Sequence, residues 1–152
     1  MADYLNTENV ETKQYIVTRI GDEQFGIEIE QIDNIVRMQK ITRVPKAQEC
    51  FNGIMNLRGE VVPVMSLRKR MGLAEDVITD NSRIVVLKVE NKGFLGVIVD
   101  EVHEVVTLEM NGIDRAMVDS KGVNAHFIYG VGKHNDDLIS LLSIEAIVGE
   151  VE

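Results

Sequence analysis

Short runs in which apolar and polar residues alternate fill most of this chain. Residues 15–20 are rich in β-branched side chains, and Gly21-Asp22-Glu23 supplies a turn. Phe25, Ile27 and Ile29 then alternate with Gly26 and Glu28, the two-residue period of a half-buried strand, so the pair predicts a hairpin. Beyond it, Ile29, Ile32, Ile35 and Val36 fall at helical spacing and predict a short helix over 30–36. Further strands are predicted at 41–44, 53–57, 61–65, 83–89, 94–99, 105–108, 128–131 and 138–142. Pro63 lies inside one of them. It cannot donate to a ladder, so that strand is expected at an edge or with a bulge. Residues 1–12 are polar and aperiodic, and a disordered lead-in is expected there.

The chain also resembles itself. Moved forward by 77 positions, residues 53–72 fall on 130–149 without a gap. Gly53, Ser66 and Gly72 meet Gly130, Ser143 and Gly149, and seven apolar positions meet apolar positions. Ser66 and Ser143 have the character of helix N-caps, and Gly72 and Gly149 that of helix stops. A shift of 70 places Gly26, Ile29, Ile32 and Ile35 on Gly96, Val99, Val102 and Val105. Two units of like design, 14–72 and 84–149, follow within one domain spanning 13–149. Each is too small for an ample core of its own, so they must share buried surface. Many short strands with regular turns predict a mainly β protein of two small barrels packed side by side.

Composition narrows the function. The chain has 152 residues, and none of its apolar stretches approaches the roughly 20 residues that span a bilayer. A net charge of −9, with basic residues scattered outside Leu67-Arg68-Lys69-Arg70, argues against nucleic acid. Arg68, Lys69 and Arg70 are read as the solvated face of a short helix. Cys50 is the only cysteine, so there is no internal disulfide, and a reduced, cytoplasmic protein is expected.

Groups suited to catalysis are few. His103, His126 and His134 sit in no metal-ligand spacing, and His134-Asn135-Asp136-Asp137 reads as a turn between strands. Gly130-Val131-Gly132-Lys133 lacks the second half of a phosphate-binding loop. Cys50 reads as a half-buried structural residue. Neither a metal nor a cofactor is expected.

The most distinctive block is residues 53–68, in which Asn56-Leu57-Arg58-Gly59 forms a turn between two apolar strands. Gly59 suits a backbone angle that other residues resist. Arg58, at the tip, can pair with a carboxylate of the fold, present a rigid five-donor fork to a partner, or be a plain surface residue.

With Gly26-Ile27-Glu28-Ile29, Ile41-Thr42-Arg43-Val44-Pro45, Gly96-Val97-Ile98-Val99-Asp100-Glu101-Val102 and the closing segment 138–148, this block resembles the CheW family of chemotaxis coupling proteins over 14–148. The resemblance implies two linked, SH3-like five-stranded β-barrels with short helices and a C-terminal helix. It implies a non-enzymatic adaptor without cofactor, bridging the helical cytoplasmic tip of a chemoreceptor and the regulatory domain of the histidine kinase CheA. Its place would be the cytoplasm, at receptor arrays on the inner membrane.

Carried over by position, the resemblance implies receptor binding by Arg58 and by a groove holding Ile32, Val102 and Val105. It implies kinase contact near Gly53. Ile32, Val102 and Val105 read equally as plain core, and Gly53 as a glycine that lets a strand begin tightly. Relatives often carry Glu where this chain has Asn34, which brings no charge to the turn arginine; Asp33 or Glu28 could take that place. A CheV-type adaptor or kinase regulatory domain, or a small-ligand-binding barrel, are the other classes. The first two carry further domains, for which a chain ending at Glu152 is expected to leave no room.

Overall fold

The computed structural model describes residues 11–115 and 125–149. Ten strands run in chain order: β1 Thr12–Ile20, β2 Glu23–Glu28, β3 Ile32–Arg37, β4 Phe51–Leu57, β5 Glu60–Ser66, β6 Arg83–Val89, β7 Gly93–Val99, β8 Glu101–Glu109, β9 Ile128–His134 and β10 Asp137–Leu142. Helix α1, Leu67–Arg70, follows β5, and helix α2, Ile144–Gly149, follows β10. Of the expected lead-in, residues 1–10 lie outside the described residues, and Thr12 already belongs to β1. Among the described residues, no helix is long and apolar enough to cross a membrane.

The strands form two five-stranded sheets, in the orders β8-β1-β2-β10-β9 and β3-β6-β7-β5-β4. Adding five to each strand number of the second, and counting round past ten, reproduces the first. The repeats are therefore interwoven: each sheet takes the first hairpin of one repeat and the last three strands of the other. The correspondence reaches single bonds. Leu141 pairs with Gly26 in parallel, as Val64 pairs with Gly96. The Ser143 amide donates to the Phe127 carbonyl at 2.8 Å, as the Ser66 amide does to Cys50. Both serines cap their helices, accepting from the Lys69 and Ala146 amides at 3.2 Å.

The sheets are open, unlike the expected barrels. Among the described residues no ladder joins β8 to β9 or β3 to β4. One bridge approaches closure in each case, Asp114 with Val131 and Thr42 with Ile54. The strand expected at 41–44 reduces to that bridge at Thr42, since the chain turns away into Pro45. β5 is not an edge strand either. Pro63 is accommodated because Ile54 spends its amide and carbonyl on Thr42, so β4 needs no donor from it. The parallel ladder to β7 begins one residue later, at Val64.

The helix expected over 30–36 is a 3-10 turn, Ile29–Gln31, followed by strand β3. A register shift between Ile32 and Asn34 explains the helical spacing. The bulge adds a residue, so side chains three apart share a face of a strand. The same device recurs in β8, where Val102 and Val105 pair with Thr18 and Ile16 across a shift.

Strand alternation divides the core in three. One cluster, with Tyr15, Val17, Ile139 and Leu141, packs on one face of the first sheet. Its counterpart in the second holds Ile84, Val86, Val62 and Val64. The largest lies between the sheets and includes Phe25, Ile27, Leu87, Val97, Met65 and Leu142, closed over by Leu67, Ile144 and Ile147 of the two helices. Each such side chain adds about 2 kcal/mol on full burial, so separating the sheets would forfeit the largest share of the core.

Candidate functional site

The turn joining β4 to β5 is the first candidate. Leu57 pairs with Glu60, leaving Arg58 and Gly59 as a two-residue loop. Both have positive φ, 52° and 85°, as a type I′ hairpin turn requires. Asn56 Oδ1 accepts from the Gly59 amide at 3.1 Å and braces the turn. The Arg58 side chain is 70% exposed, and its Nη2 donates to Asp33 Oδ2 at 3.3 Å. Asp33 takes the carboxylate position, while Asn34 Oδ1 is buried without a hydrogen-bond partner among the described residues. Glu28 is engaged elsewhere, accepting from Lys13 at 3.3 Å and from Tyr129 at 3.0 Å. Phe94 and Val62 floor a shallow cleft of about 300 Å³ beside the arginine.

The apolar candidates lie on the faces the sheets turn toward each other. Ile32 and Val102, equivalent by the repeat, are half-buried against the central cluster. Val105 pairs with Ile16 and is 48% exposed. Ile32 lies on the edge strand β3 and Val102 and Val105 on the edge strand β8, and of the three Val105 has substantial free surface. Gly53 is buried, with φ of 143°, and a Cβ there would drive into the Thr42 carbonyl. Its requirement is steric: no other residue lets segment 42–43 cross β4 so closely.

The basic run 68–70 is only partly a solvated face. Arg68, 15% exposed, grips Asp100 with Nε at 3.3 Å and Nη2 at 2.5 Å. Asp100 also accepts from the Gly21 amide at 2.9 Å and lies 3.6 Å from Arg19. Burial alone would raise the Asp100 carboxyl; the hydrogen bonds from Arg68 and Gly21 and the charges of Arg68 and Arg19 outweigh it and hold it below the usual carboxylate range. This clamp ties α1 to the β1–β2 turn and so to the other sheet. Arg70 lies over the Phe127 ring, 4.8 Å from its centroid, and donates to the Ile147 and Ala146 carbonyls at the end of α2. The signal for the clamp is Asp100 itself, a carboxylate that directly closes the apolar run 94–99.

Among the described residues, no group of three or more His, Cys, Asp or Glu side chains could hold a metal ion. Gly130 and Gly132 lie inside β9, where Cβ atoms would collide with Ile113 and Leu108. Burial pushes the Cys50 thiol up, away from the reactive thiolate. Tyr129 donates to Glu28 and meets the Tyr15 hydroxyl at 2.5 Å; burial and these neighbours raise its phenol and keep it protonated.

Comparison with known proteins agrees with this geometry. Residues 14–152 match the family model described as CheW-like domain. The chain is 34% identical to chemotaxis protein CheW of Helicobacter pylori over 141 residues, covering 93% of this chain and 84% of that one. It is 32% identical to chemotaxis protein CheW of Bacillus subtilis over 136 residues, covering 90% and 86%. The crystal structure of scaffolding protein TtCheW from Thermoanaerobacter tengcongensis superposes with a TM-score of 0.84 at 30% identity, over 93% of this chain and 95% of that one. An interwoven pair of five-stranded sheets, two capped closing helices and a match along nearly the whole length all lead to one assignment: this chain belongs to the CheW family of chemotaxis proteins.

Proposed function

We propose that this chain is a non-enzymatic adaptor in the cytoplasm that couples the helical tip of a chemoreceptor to the regulatory domain of the histidine kinase CheA within receptor arrays. The receptor helix lays an apolar stripe along the seam bordered by Ile32, Val102 and Val105, and Arg58 fixes its orientation at the rim. A typical interface of roughly 800 Å² per partner would take up much of one sheet face. Arrays multiply weak contacts through effective concentration, so no single contact needs high affinity. The kinase docks near Gly53, where the glycine acts by seating segment 42–43 rather than by touching the partner.

What carries the reading is the backbone at Arg58. Arginine gains nothing from a left-handed conformation, which a residue with a Cβ adopts at a cost of about 1 kcal/mol. Its side chain is nonetheless held out into solvent on a braced two-residue turn, tethered by a single exposed contact to Asp33. An unfavourable residue kept at a tip is explained by what its side chain does. The TtCheW neighbour is described as a scaffolding protein, which agrees with a chain that offers docking faces.

Co-sedimentation with a receptor cytoplasmic fragment and with the kinase, each alone and then together, tests the proposal. Two separable binding faces are expected, with Arg58→Glu losing the receptor and retaining the kinase. A folded R58E protein that keeps full receptor binding would overturn the assignment of Arg58.

A further inference from the structure

The repeat that duplicates the frame leaves its two inter-sheet junctions differently filled. At the first, α1 meets the β1–β2 hairpin through Arg68, which lies between the sheets on Asp100 with Arg19 outside it. At the second, α2 faces the β6–β7 hairpin. The shifts that align the repeats set Glu30 at the place of Asp100 and Glu145 at the place of Arg68. Strand pairing aligns β1 with β6 one residue short of the later strands, Val17 with Gly26 matching Val86 with Gly96, and this sets Lys88 at the place of Arg19. The acid and the outer cation are therefore kept, and the inner guanidinium is replaced by a second carboxylate.

The result is a groove of about 470 Å³ where the other junction is closed. Glu30, Glu90 and Glu145 line it together with Lys88 and Lys92, over an apolar floor of Val89, Ile144 and Val148. Gln31 lines it too, and its Oε1 is buried without a hydrogen-bond partner. Three exposed carboxylates against two lysines leave the groove acidic, and with a stranded acceptor they suit a group with many donors and no acceptor, which describes a guanidinium. The flat faces of that group and its methylene stem also suit the valine floor.

We propose that this second junction is a docking site for an arginine side chain presented by a partner protein, entering between α2 and the β6–β7 hairpin as Arg68 does within the chain at the first junction. The site is separate from the Arg58 turn and does not depend on the adaptor reading.

Titration of the full isotope-labelled chain with N-acetyl-arginine amide, followed by amide NMR, tests it, with the lysine and leucine amides as controls. Saturable shifts are expected at the backbone amides of Glu30, Gln31, Val89 and Val148 with the arginine probe, at a dissociation constant at least about tenfold below that of either control. Glu30→Gln should weaken binding by about tenfold. Glu145→Arg should abolish it and raise Tm, because the groove then receives a guanidinium from its own helix. The proposal is overturned if no saturable shifts occur, as when Lys88 or Lys92 fills the groove itself, if the three probes act alike, or if E145R still binds. Should E145R not fold, E30Q decides: unchanged affinity in that variant overturns the site.

Discussion

The β4–β5 turn and the β9–β10 turn occupy equivalent places in the two repeats and have nearly the same backbone. Arg58 and Gly59 have φ of 52° and 85°; Asn135 and Asp136 have 50° and 72°. Asn and Asp are among the few residues with a Cβ that tolerate this region, and the second turn uses both. The first turn needs the same shape yet has an arginine at the position where its counterpart has asparagine. Conformation explains Asn135 fully and does not explain Arg58. One scaffold has been decorated twice, and only at the first turn does the residue's identity oppose its backbone.

The same contrast between equivalent positions yields tests of decreasing size. Gly53 and Gly130 are equivalent, but the first has positive φ and faces a carbonyl, whereas the second faces the Cγ2 methyl of Ile113. Gly53→Ala should lose roughly 3 kcal/mol or more in urea unfolding, and Gly130→Ala about 1 kcal/mol, because a side chain yields where backbone does not. Equal losses would remove the steric account of Gly53. Next, Arg68→Ala removes two of the bonds to Asp100, leaving it the Gly21 amide and the Arg19 charge, and should cost about 2 kcal/mol, while Glu145→Ala at the equivalent position should be within about 0.5 kcal/mol of wild type.

Acid titration gives a smaller effect with a definite sign. The Asp100 carboxyl lies below its ordinary value in the folded state, so the unfolded chain binds its proton first as pH falls. Its stabilisation is present above about pH 4, the unfolded value, and disappears as pH falls through the lower folded value. Asp100→Asn should flatten that part of the stability curve; an unchanged acid slope would mean the clamp is weak. Smallest is Asn135→Gly, which should change stability by a few tenths of a kcal/mol and leave partner binding intact.

Much of this fold was legible in the chain, for reasons that also mark where legibility stopped. Strands such as β6 and β7 carry apolar runs bounded by turn residues, and both serine caps follow from local chemistry. Ile32 and Ile35 misled because a bulge gives a strand the three-residue spacing of a helix. The interweaving was not legible, since pairing between β2 and β10 joins residues more than a hundred positions apart. At the site, the 56–59 turn announced itself through Gly59. Asp33 was one of two substitutes for the missing glutamate, and only the placement of β3 beside the turn selects it over Glu28. Arg68 and Arg70 look like solvated charge in a basic run; their partners, Asp100 and the end of α2, lie far along the chain.

The most direct measurement is receptor co-sedimentation of Arg58→Asn alongside its thermal unfolding. This substitution gives the first turn the residue its counterpart already uses. The account predicts an unchanged or higher Tm together with receptor binding weakened by at least about tenfold. Undiminished binding in that protein, or a loss of fold as large as the loss of binding, would contradict it.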